Sequence, residues 1–132
     1  LGFRSSNPPQ DALEDAADAG AQIITSSWGY PREQVFPILQ ATLLDLIADG
    51  VIILFAAGNG HYAWPGSEPG VLSIGGVYAD AQSNLEASNY ASGFMSSVFP
   101  GRRVPDFCGL CGEQPRAIYI VMPTQPGNQM DR

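Results

Sequence analysis

The triplet Gly58-Asn59-Gly60 is where chemistry is most legible in this sequence. It follows the apolar run Val51-Ile52-Ile53-Leu54-Phe55 and the pair Ala56-Ala57. Ligands bind at the carboxyl ends of strands in open α/β sheets, so a single amide side chain there is placed like a working residue. Asn between glycines also tolerates a left-handed turn with no further role. On these residues alone both readings stand. Two residues on lies His61, the one histidine of the chain. An imidazole can act as a base, but no nucleophile motif or orienting acid accompanies it, so it reads as an exposed loop residue near a cleft. Cys108 and Cys111 form Cys-Gly-Leu-Cys. Zinc needs about four ligands, and His61 is the only other soft one. A redox Cys-x-x-Cys normally opens a helix after a strand, whereas Gly109 and Gly112 give this one a loop texture. The pair reads as two loop thiols, with a local disulfide left open. The acidic row Asp11, Glu14, Asp15 and Asp18 reads as a solvated helix face, not a metal patch.

Elements that hold Asn59 can be read from the spacing around it. Five large apolar residues bounded by turn residues predict a strand buried on both faces, as in a parallel sheet with helices on either side. Leu1 to Arg4 reads as the end of a strand. Ser5-Ser6-Asn7-Pro8-Pro9 is a helix-start signal. The helix is expected from about Pro9 to Ala19, with Ala12, Leu13, Ala16, Ala17 and Ala19 on one face and Gly20 as its stop. Ala21 to Ser27 is a strand with a β-branched centre, and it gives way to Trp28-Gly29-Tyr30-Pro31. A second helix begins between Arg32 and Pro37 and ends at Asp49, with Leu39, Leu43, Leu46 and Ile47 as its buried stripe. Val71 to Val77 is another buried strand, and its glycines imply close backbone approach. Residues 80 to 111 are rich in Ser, Asn, Gly and Pro, with short apolar pieces only. Ala117 to Met122 reads as a last strand and Pro123 to Asn128 as a loop.

Strand, helix, strand, helix, strand at short intervals predicts an α/β fold: a three-layer α/β/α arrangement with a mostly parallel sheet. The strand ends at Ser27-Trp28-Gly29 and Gly58-Asn59-Gly60 should then be neighbours at one edge, where ligands bind in open α/β sheets.

Composition narrows the function. The chain has 132 residues, suited to one domain or part of one, with 45% hydrophobic and 14% charged residues. That is globular, not disordered. The net charge is −7 with six Lys and Arg, which argues against a nucleic-acid partner. No apolar run approaches the about 20 residues of a membrane span. Both termini read as cut, and the whole 1–132 stretch as a partial domain.

The ordered set Ser27-Trp28-Gly29, Ala56-Ala57-Gly58-Asn59-Gly60, Trp64-Pro65-Gly66 and Val71-Leu72-Ser73-Ile74-Gly75-Gly76 resembles the middle of a subtilisin-like serine protease domain. The resemblance covers about residues 10 to 92. It continues weakly through Val104-Pro105-Asp106-Phe107, which is similar to the segment ahead of the family's nucleophile. It implies that Asn59 is the side-chain donor of the oxyanion hole, with Gly58 and Gly60 leaving room for substrate backbone. It implies that Ser27, Trp28, Gly29, Ala56, Ala57 and Gly58 wall the primary specificity pocket, with Ala63 near its base. Ser27 to Gly29 would pair with the substrate as an added strand. Small residues there suit medium or large apolar side chains. Trp28 has the alternative of a packed aromatic at a strand end. Trp64-Pro65 matches a position of cis peptide geometry.

The family's Asp and His motifs would lie upstream and its Ser motif downstream, and none is present here. The expectation is a piece of a serine endopeptidase, inactive alone, that supplies the oxyanion Asn and pocket walls. Its partner would be a peptide or protein substrate, and its parent would be secreted. The family often binds calcium, but no loop matches well enough to name ligands, so no cofactor or metal is assigned. Self-association through exposed sheet edges is a further expectation. One alternative is a non-catalytic, protease-like scaffold or peptide-binding domain. A weaker one is an unrelated doubly wound domain holding an anion; the missing Gly-rich phosphate loop counts against it.

Overall fold

The structure is a computed structural model and describes residues 8–115. The strands expected at Leu1–Arg4 and Ala117–Met122, the Ser5–Asn7 cap and the loop at Pro123–Asn128 lie outside the described residues. The elements follow in the order α1 (Pro9–Asp18), β1 (Ile23–Ser26), β2 (Tyr30–Pro31), α2 (Pro37–Ala48), β3 (Ile52–Ala56), β4 (Ala63–Trp64), β5 (Leu72–Ala79), β6 (Leu85–Ala87), β7 (Phe94–Met95), β8 (Arg103–Val104) and β9 (Phe107–Leu110).

Both helices open on a proline in the first turn, where a missing N–H costs nothing. Both end ahead of a glycine with positive φ, Gly20 at 88° and Gly50 at 86°, the usual stop for a right-handed helix. β1 runs parallel to β3, with Ile23 opposite Ile52 and Ser26 opposite Phe55. β3 runs parallel to β5, with Leu54 opposite Leu72 and Ala56 opposite Ile74. On the far side of β5, β9 adds in parallel, Ile74 facing Phe107. β6 returns antiparallel on the tail of β5. The result is an α/β fold with a mostly parallel sheet, as the sequence predicts. β2 with β4 and β7 with β8 form two short antiparallel ribbons beside it. Among the described residues no helix is long and apolar enough to cross a membrane.

α1 and α2 touch each other and lie on the same face of the sheet. Leu13 of α1 and Leu39, Leu43 and Leu46 of α2 close over Ile24, Ile53, Phe55 and Val71. Each fully buried Leu, Ile or Phe there contributes roughly 1.5–3 kcal/mol. The expectation that Val51 to Ala57 is buried on both faces is corrected. Ile53 and Phe55 are each 1% exposed, but Ile52 is 48% and its neighbour Ile23 is 59% exposed. Side chains alternate along a strand, and the described residues contain helices on one side only. Residues 80 to 111 are also more regular than their composition suggests, since they supply four short strands.

Candidate functional site

Asn59 stands where β3 leaves the sheet. Gly58 has φ 116° and Gly60 has φ 78°, conformations that L side chains rarely adopt. The two glycines turn the chain sharply and leave Asn59 exposed at the apex. Among the described residues its side-chain amide has no hydrogen-bond partner, so its donors are free. Its carbonyl is engaged by His61 Nδ1 at 3.1 Å. His61 is exposed, and its imidazole folds back on the turn.

The turn is anchored by Ser92, a residue that sequence reasoning did not single out. Ser92 is 5% exposed. Its Oγ donates to His61 O at 2.7 Å and accepts from His61 N at 3.0 Å. Its backbone N–H donates to Gly58 O at 3.1 Å. A Cβ on Gly58 would lie 2.8 Å from Ser92 Oγ and 3.1 Å from Ala63 Cβ. No sequence signal marked Ser92 because its partner lies 31 residues away.

The other sequence-predicted wall residues collect around the same edge. The β1–β3 register ends at Ser26 opposite Phe55, so Ser27 and Ala56 each follow directly on that last paired position. Ser27, Trp28 and Gly29 are exposed and lie between β1 and β2 without belonging to either. A Cβ on Gly29 would lie 3.3 Å from Trp64 O and 4.0 Å from Ala63 Cβ. Gly29, Gly58 and Ala63 thus converge, with Ala57 and Ala63 buried between the strands. Trp28 sits edge-on to Phe55 at 4.9 Å and to Tyr30 at 6.0 Å, with 37% of its surface exposed. It is a packed aromatic at a strand end that remains partly exposed.

Behind these walls sits Trp64, fully buried and joined to Pro65 by a cis bond, as expected from the sequence. A Cβ on Gly66 would come 2.4 Å from Ala56 O, so only glycine allows this close approach. Trp64 Nε1 donates to buried Glu68 Oε2 at 2.8 Å. Gln40 Nε2 of α2 donates to both oxygens of the same carboxylate, at 3.2 and 3.1 Å. A buried carboxylate needs such partners to be tolerated. Glu68 was also not singled out, because Trp-x-x-x-Glu carries no distinctive pattern. Further along, Asp106 accepts from Ser73 N at 2.7 Å and from Arg102. The Arg102 hydrogen bond holds its carboxyl below the usual value, against an opposing effect of burial.

The two thiols are not a loop pair. Cys108 belongs to β9, and Cys111 lies just past its end. A Cβ on Gly75 would meet Cys108 Sγ at 3.2 Å, and one on Gly76 would meet Cys111 Sγ at 2.2 Å. Neighbouring residues of a strand point to opposite faces, so the two sulfurs lie on opposite faces of the sheet. Both are free. Among the described residues no group of three or more His, Cys, Asp or Glu could hold a metal ion.

Beside the turn, Gly60, His61, Tyr62, Ala91, Ser92, Gly93 and Phe94 line a depression of about 230 Å³, with Tyr62 and Phe94 in ring contact at 4.8 Å.

The sequence profile of the Subtilase family matches residues 6–131. Among solved structures, the chain is similar to the psychrophilic subtilisin-like protease Apa1 from the Antarctic psychrotroph Pseudoalteromonas sp. AS-11. The identity is 25% and the TM-score 0.59, over 70% of this chain and 21% of that one. It is also similar to the prenylagaramide maturation protease PagA, at 21% identity and TM-score 0.54, over 72% of this chain and 36% of that one. Sphericase matches at 23% identity and TM-score 0.52, over 67% of this chain and 30% of that one. The last two likenesses concern the fold alone. The chain spans 21% to 36% of the length of these three proteins. A comparison with curated proteins finds no match.

Proposed function

The chain belongs to the subtilase family, and on that premise we propose that it forms the oxyanion and substrate-pocket part of a serine endopeptidase. The observation that carries the proposal is the uncommitted Asn59 amide. It is held at the carboxyl end of the central strand between two glycines of positive φ. In the proposed reaction a serine attacks the peptide carbonyl, and the Asn59 side-chain N–H donates to the oxygen that becomes negative. The glycine turn fixes the backbone from which the amide reaches, and its free donors are available as charge develops. Ser27 to Gly29 accepts the substrate as an added strand. Gly29, Gly58, Ala57 and Ala63 leave a slot for an apolar side chain, with Trp28 at its rim. His61 is not assigned as the general base, since neither a nucleophile motif nor an orienting acid accompanies it. The nucleophile, base and orienting acid are proposed to come from sequence outside these 132 residues.

Kinetics of Asn59→Ala in the intact protease test the proposal. A loss of about 10²–10³ in kcat with KM little changed is expected, the magnitude known for the corresponding donor in subtilisin itself. Wild-type kcat in the variant would refute the oxyanion role. A protein without hydrolytic activity in its intact form would be the non-catalytic scaffold instead.

A further inference from the structure

We propose that Ser92 is the positioning residue of the oxyanion turn, a role that rests on the reading of Asn59 given above. Three hydrogen bonds from this one residue reach Gly58 O, His61 N and His61 O. They grip the backbone one residue before Asn59 and two residues after it. The fit is reciprocal, because the place a Gly58 Cβ would occupy lies 2.8 Å from Ser92 Oγ. Ser92 is itself tied to the sheet. Ala91 N donates to Ser88 O, and Ser88 N donates to Gly76 O of β5, both at 3.1 Å. The turn that leaves β3 is thus braced from β5, two bonds removed.

This arrangement leaves the Ser92 hydroxyl no part in bond making. Its proton is given to the His61 carbonyl, which is no base, so it lacks the activation a nucleophile needs. Its effect is on direction. An oxyanion donor works only within a few tenths of an ångström and about 10–20° of its target. A misplacement of about 1 Å can cost on the order of 10²-fold in rate. Ser92→Ala removes two of the three bonds and keeps the backbone one, so a loss of about tenfold in kcat is expected.

A double-mutant cycle in the intact protease, read with a chromogenic peptide bearing an apolar residue before the scissile bond, tests the proposal. Ser92→Ala should lower kcat about tenfold at unchanged KM. In an Asn59→Ala background it should change nothing further, because the donor it aims is gone. An equal loss in both backgrounds, or a loss in KM alone, would overturn it. Amide hydrogen exchange gives a readout independent of activity. The His61 N–H should exchange faster in Ser92→Ala, while amides of β1, β3 and α2 keep their protection. If Asn59→Ala alone proves silent, the oxyanion reading fails. Unchanged protection of His61 in Ser92→Ala would separately overturn the bracing role.

Discussion

β3 leaves the sheet through Gly58-Asn59-Gly60, and its neighbour β1 leaves through Ser27-Trp28-Gly29. The first turn is gripped by three hydrogen bonds from Ser92 and bent by two glycines of positive φ. The second is held by ring contacts, Trp28 edge-on to Phe55 and Tyr30. Hydrogen bonds fix direction, whereas ring contacts tolerate a range of separations and tilts. A donor that must aim at one atom needs the first kind of support. On the proposed reading, a pocket wall that accepts side chains of several sizes is served by the second. The two walls meet over Ala63 and Trp64, so the buried Trp64–Glu68 hydrogen bond stands behind both.

Gly58→Ala should break this contrast most severely. An alanine there would adopt φ 116° with its Cβ 2.8 Å from Ser92 Oγ and 3.1 Å from His61 O. Backbone strain alone is about 1–3 kcal/mol, and the clash pushes the turn off Ser92. In the intact protease kcat should fall by well over tenfold. Gly20→Ala is the control: it also has positive φ, but no atom lies within 4 Å. It should lower stability and leave kcat alone.

Glu68→Ala acts on both walls at once. It leaves the Trp64 indole N–H buried and unpaired, at a cost of about 1–3 kcal/mol. The urea midpoint of the 132-residue chain should fall accordingly, and a midpoint equal to wild type would show that the carboxylate does not brace Trp64. Trp28→Ala should be milder and of a different kind. It removes two ring contacts, each about 0.5–1.5 kcal/mol. KM should rise several-fold with kcat nearly unchanged, and a fall in kcat as large as that of Gly58→Ala would erase the distinction between the walls.

The smallest effect belongs to Asp106, which makes no hydrogen bond to either turn among the described residues. Its folded carboxyl lies below the ordinary 3.8 because Arg102 hydrogen-bonds it. A lowered carboxyl stabilises the fold fully above the unfolded value and loses that contribution as pH falls through the folded one. The contribution of Asp106 should therefore be lost only as pH falls below about 4, and Asp106→Asn should flatten that part of the acid-unfolding curve. Because the pair is partly exposed, the change at pH 7 should be small.

Much of the architecture was legible because its signals are local. Proline at the first turn and glycine after the last bound both helices correctly. The apolar stripes Leu13 and Leu39–Leu43–Leu46 do face the core. The parallel register, read from alternating strands and helices, brings Ser27–Gly29 and Gly58–Gly60 to one edge. The cis Trp64–Pro65 bond followed from the family resemblance. What could not be read depends on partners far along the chain. An apolar run does not say which of its faces is covered, and Ile52 proved exposed where Ile53 is not. Cys-Gly-Leu-Cys gives no hint that its sulfurs straddle a sheet, since that is set by the glycines at 75 and 76. Ser92 and Glu68 matter through contacts with backbone and indole groups that leave no pattern in neighbouring residues.

The most direct measurement is a crystal structure of the intact protease with a peptide boronic acid at its nucleophile. The Asn59 Nδ2 should lie about 2.7–3.1 Å from the boronate oxygen that stands for the oxyanion, with Ser92 still bonded to His61. An Asn59 amide turned away from that oxygen, with the oxygen held by other groups, would contradict the assignment.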